Sequence, residues 1–144
     1  MRAPRDVLMD RDAWEFFAGA PDGRPVWASA LDRAKPAFED RTNGVMRTSA
    51  LYNAALGRYF LATEHTAVDR GNIGIYEAPT PWGPWRTVLF ESGFGAPHVE
   101  PNTFFWAFSP KWLGPDGTDF VLVFTGRDSN DSWNTVRGRF LTVE

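Results

Sequence analysis

Short β-strands joined by tight turns, an all-β class, are what this sequence predicts. Aromatic residues make up 15% of the chain, with 7 Trp and 12 Phe. Turn formers are frequent too, with 13 Gly and 11 Pro. Apolar residues gather in short runs bounded by those turn formers rather than at helical spacing. Aromatic side chains suit a pleated, half-buried surface, and Gly, Pro and Asp suit the corners between strands.

The best helical candidate, from Ala28 to Lys35, is closed by Pro36 within two turns. Strand-like segments fill most of the rest. Trp14 to Gly19, the turn Pro21-Asp22-Gly23 and Pro25 to Ser29 form a hairpin. Val45 to Tyr52 is the next strand, followed past Gly57 by Arg58 to Thr63. Asn72 to Tyr76 and a short Thr87 to Phe90 come next. Phe104 to Phe108 is intensely aromatic, and Pro115-Asp116-Gly117 turns the chain into Phe120 to Phe124. A last strand begins near Thr135.

A weak repeat runs through these pieces. Each copy is an aromatic strand with a small or polar ending, a loop, and a second strand. Trp14 to Ser29, Tyr59 to Tyr76 and Phe120 to Leu141 are the three copies. Units of four short strands recurring every ~40–50 residues are the mark of propeller blades. A β-sandwich also has many short strands and stays open as an alternative. The propeller reading makes residues 1–144 one partial domain with units near 12–43, 44–92 and 93–144. That is about two and a half blades of four-stranded antiparallel sheet. Typical rings need ~4–8 blades. Such a chain is therefore expected to join further upstream blades, or to associate with itself through open blade edges.

Charge and composition exclude several classes. The net charge is −3 at pH 7, with no basic face for nucleic acid. No apolar run approaches the ~20 residues of a membrane-spanning helix. The stretch Val7 to Met9 is too short for a secretory signal. With no cysteine, disulfides, thiolate metal sites and cysteine nucleophiles are excluded. Gly-rich phosphate loops and Gly-x-Ser-x-Gly elbows are missing.

Residues 73–85, Ile-Gly-Ile-Tyr-Glu-Ala-Pro-Thr-Pro-Trp-Gly-Pro-Trp, carry the most distinctive pattern. A strand with a small ending, a Pro-rich turn and Gly-Pro-Trp resembles a signature of five-bladed propeller glycosidases of the arabinanase and xylosidase type. Leu51-Tyr52-Asn53 with Gly57 to Leu61 is similar to the first two strands of the same blade. Ser109 to Trp112, Phe120 to Gly126 and Asp131 to Asn134 look like a final blade. The resemblance implies the C-terminal portion of such a propeller, an oligo- or polysaccharide ligand, and an extracellular or periplasmic setting. Family catalytic acids usually sit on the first three blades, so the resemblance also implies that this chain alone is inactive. Some relatives place a calcium in the channel beside a histidine; otherwise no cofactor is expected.

Candidate site residues follow from sugar chemistry. Glycoside hydrolysis uses two carboxyls about 5–9.5 Å apart, one of them protonated. Glu64, ending an apolar strand, is the candidate catalytic acid, and Glu100 is a weaker one. Arg47 alternates with Ser49 on a strand that would face a channel, where it could hold a substrate carboxylate or fix an acid. His65 and His98 are the two histidines, and His65 is assigned to substrate binding. Asp128 to Ser132 has the oxygen alternation of a calcium loop without its glycine or distal glutamate, and reads as a turn. Asn130-Asp131-Ser132 matches the glycosylation sequon. Trp106, Trp112 and Trp133 are the candidate platforms for stacking on sugar rings. Trp14, Trp27 and Trp85 are expected in packing.

Overall fold

The computed structural model describes residues 1–65, 72–95, 103–126 and 132–141. Among the described residues nine strands form: β1 (Phe16–Phe17), β2 (Trp27–Ala28), β3 (Met46–Asn53), β4 (Arg58–Glu64), β5 (Ile73–Ala78), β6 (Arg86–Glu91), β7 (Phe104–Phe108), β8 (Asp119–Thr125) and β9 (Asn134–Arg139). They pair antiparallel, in chain order, as a two-, a four- and a three-stranded sheet. Among the described residues the only helical elements are short 3₁₀ turns. The all-β expectation holds, and the helical candidate at 28–35 is reduced to a 3₁₀ turn at Leu31–Arg33.

The four-stranded sheet lies in the middle. Alternation along β4 explains why. Phe60, Ala62 and Glu64 face the third sheet, while Leu61 and Thr63 take the opposite face, where Phe38 packs on Tyr76 at 4.5 Å. Both faces are covered, so Phe60 through Glu64 are all buried. On the third-sheet side, Phe60 stacks on Phe140 at 4.2 Å, and Phe140 meets Phe120 at 4.5 Å. Trp106, Phe108, Leu122 and Phe124 complete that core with Ile73 and Ile75.

The Gly-Pro-Trp turn fastens the first unit to the middle sheet. Gly83 has φ 98°, a region glycine adopts without strain, and the Gly83–Pro84 peptide is cis. The indole N–H of Trp82 donates to the Gly23 carbonyl at 3.3 Å, and that of Trp85 to the Ala37 carbonyl at 2.9 Å. Trp82 also meets Trp27 edge-on. The two tryptophans thus clamp neighbouring units together as well as covering an edge.

At the other junction, Asn53 is almost fully buried, donates to the Gly117 carbonyl at 2.8 Å and accepts the Leu56 N–H at 3.2 Å. It ties the β3–β4 turn to the β7–β8 turn. Asn53→Ala strands both backbone groups. It is expected to cost about 1–3 kcal/mol, read as a lower urea midpoint. A change below ~0.5 kcal/mol would mean the two turns are not joined this way.

The middle and third sheets share an irregularity at the same place. Met46 pairs with Glu64, and the next pair is Ser49 with Ala62. Phe104 pairs with Thr125, and the next pair is Ala107 with Val123. In each, three residues of the first strand span two of the second, which is a β-bulge. The residue after the first pair takes positive φ in both, 53° at Arg47 and 60° at Phe105. Arg47 and Phe105 therefore occupy matching positions in two copies of the same bulge. Neither is glycine, so each copy holds backbone strain on the order of 1–3 kcal/mol at that spot.

Candidate functional site

The two bulges and the end of β4 converge. Glu64 faces the third sheet, and its Oε2 accepts the Phe105 N–H at 3.3 Å. Arg47 Nη1 stands 3.6 Å from the same oxygen. The Arg47 guanidinium lies over the Phe105 ring at 4.2 Å and the Phe104 ring at 5.2 Å. Burial differs sharply within the cluster. The Glu64 side chain is 10% exposed and that of Arg47 39%.

Burial pushes the Glu64 carboxyl above its ordinary range, against the opposing pull of the Phe105 N–H and Arg47. The folded protein therefore binds this proton more tightly than the unfolded chain. Glu64's contribution is most favourable below the ordinary carboxylate range and declines as pH rises through the elevated folded value. Wild type is expected to lose stability relative to Glu64→Gln as pH climbs from ~4 to ~7, measured by urea unfolding at each pH. A constant difference across that range would contradict the assignment.

His65 follows Glu64 but points to the opposite face, and its side chain is only 1% exposed. Its Nδ1 lies 2.8 Å from the Gly44 carbonyl, which can only accept, so Nδ1 carries the proton. Nε2 lies 3.2 Å from the Tyr76 hydroxyl, which donates to Asp40 Oδ2 at 3.5 Å. Burial, reinforced by Asp40, pushes the Tyr76 hydroxyl up to about 12, so it keeps its proton. Asp40 accepts N–H groups from Thr42, at 3.0 Å, and Asn43, at 2.9 Å. The Asn43 side chain and both of these N–H groups hold its carboxyl below the usual range. This network pins the turn that feeds β3. The expectation that His65 contacts substrate is corrected, because its ring nitrogens are engaged inside the fold and it positions the approach to Arg47.

The tryptophans separate. Trp106 is 1% exposed, stacked on Phe124 at 4.3 Å and met edge-on by Phe94 at 5.1 Å. The expectation of a sugar platform there is corrected too, since the ring is enclosed by core. Trp112 is exposed but follows β7, at the end of the sheet opposite Glu64. It lines a groove of about 540 Å³ with Phe120, Val121 and Arg137. Trp133 is 73% exposed and immediately precedes β9, at the same end as Glu64. Ser49 lies within β3 just past the bulge, paired with Ala62.

Arg47 and Glu64, each singled out separately in the sequence, lie side by side, while Phe104, Phe105, Tyr76 and Asp40 carried no signal there. His98, Glu100 and Asp128 to Asp131 lie outside the described residues. Among the described residues, no group of three His, Asp or Glu side chains is arranged to hold a metal ion. No protein-family model matches this chain, and no curated protein matches it in sequence.

Proposed function

We propose that this chain is a portion of a carbohydrate-active β-propeller protein related to glycoside hydrolases, with its sugar site at the end where Arg47, Glu64 and Phe105 meet. One observation carries the proposal. The same bulge recurs in successive sheets, and the strained residue of one sheet hydrogen-bonds the acid of the preceding one. Stacked, equivalent sheets are what a propeller needs, and strained residues collect where function requires them. The strand ends at Glu64, Ile73, Glu91, Phe104, Thr125 and Asn134 all lie at this end.

Hydrolysis needs a second carboxyl beside the protonated one. Among the described residues Glu64 is held by Arg47 and a backbone amide, not by another acid. The reading is therefore binding by this chain, with hydrolysis requiring acids supplied by further blades. The test is titration of the protein with a panel of oligosaccharides, followed by tryptophan fluorescence and a reducing-end assay. Saturable change in emission, reduced in Trp133→Ala and without release of reducing ends, is expected. An emission spectrum indifferent to every oligosaccharide would overturn the proposal.

A further inference from the structure

We infer that the sugar recognised at this end carries a carboxylate, as in a uronate residue, and that Arg47 is the group that selects it. The inference rests on the carbohydrate reading above and adds the class of sugar.

Three features of Arg47 carry it. The bulge and the positive φ of 53° take its backbone out of the regular ladder. The guanidinium is then laid over two phenylalanine rings, which fix its plane. Its one ion-pair contact among the described residues is a single nitrogen 3.6 Å from Glu64, longer than the ~2.7–2.9 Å of a charge-assisted hydrogen bond. The remaining N–H donors of a partly exposed, immobilised fork have no partner among the described residues. A planar, two-oxygen acceptor matches that fork, and a neutral hydroxyl does not.

The surroundings favour the same ligand. The Phe105 ring is half exposed and offers an apolar wall for the C–H face of a sugar. Glu64 would repel a second carboxylate if ionised, but burial favours its protonated form. Among the described residues, the groups beside Glu64 on the adjoining strands are Met46 and Arg47 on β3, Ile73 on β5 and the Phe105 amide on β7, so Arg47 is the one charge among them.

The test is calorimetric titration of the protein with an oligogalacturonate, a neutral galacto-oligosaccharide of equal length, and a sulfated one. The uronate is expected to bind at least ~10-fold tighter than the neutral sugar. Arg47→Gln is expected to weaken uronate binding at least ~10-fold more than neutral binding and so erase the preference, and Arg47→Lys, which keeps charge without the fork, to lower the preference several-fold. Neutral binding equal to or tighter than uronate binding would overturn the inference and leave the carbohydrate reading standing. So would a preference that survives Arg47→Gln, or sulfated sugar binding as tightly as uronate. Failure of all three sugars to bind would overturn both.

Discussion

Trp106→Ala is expected to destabilise the protein by about 3–5 kcal/mol, the usual cost of emptying a buried indole site. Trp106 is 1% exposed, and it joins Phe94 and Phe124 into one aromatic packing unit. Its indole nitrogen has no hydrogen-bond partner among the described residues, so truncation strands no acceptor there. The loss is apolar transfer plus cavity, and Trp106→Phe should recover a large part of it. Trp133→Ala, at an exposed position, should change stability by less than ~0.5 kcal/mol. Urea unfolding of the three variants checks the order. Equal effects for Trp106 and Trp133 would mean that Trp106 is not the centre of the core between the second and third sheets.

Gly74→Ala is expected to cost about 3 kcal/mol, at the upper end of overpacking. Gly74 lies in the interior strand β5, between Thr63 and Phe90. A Cβ there would fall against the His65 Nε2 atom and 2.6 Å from a Tyr76 ring carbon. Neither ring can yield without giving up its buried hydrogen bond, and His65 holds the turn before Arg47. The cost should therefore be smaller in a His65→Ala background, with a coupling of ~1 kcal/mol or more. A double-mutant cycle by urea unfolding measures this. Strict additivity would show that the glycine is not there to make room for His65.

Strands were legible in the sequence because their apolar runs are short and sharply bounded. Val45 to Tyr52 foreshadows β3, and Phe104 to Phe108 coincides with β7. The Gly-Pro-Trp turn was legible as a structural device, though not its reach to Gly23 and Ala37, which depends on where another unit packs. Side-chain direction was less legible, for a specific reason. A bulge advances one strand by three residues against two, so alternation cannot be carried through it. That is why Trp106 read as a platform and is core, and why Phe105 went unremarked beside Glu64. His65 looked like a companion of Glu64 because it is adjacent in sequence. Strand alternation puts adjacent residues on opposite faces, and a buried tyrosine was waiting on the other side.

The central claim is that ligand meets this protein at the end defined by the two bulges. Amide chemical-shift mapping during titration with the tightest-binding oligosaccharide tests it most directly. The largest shifts are predicted at Arg47, Glu64 and Phe105, with Gly114 to Thr118 at the opposite end unmoved. Shifts centred on Gly114 to Thr118, or spread evenly over both ends, would contradict it.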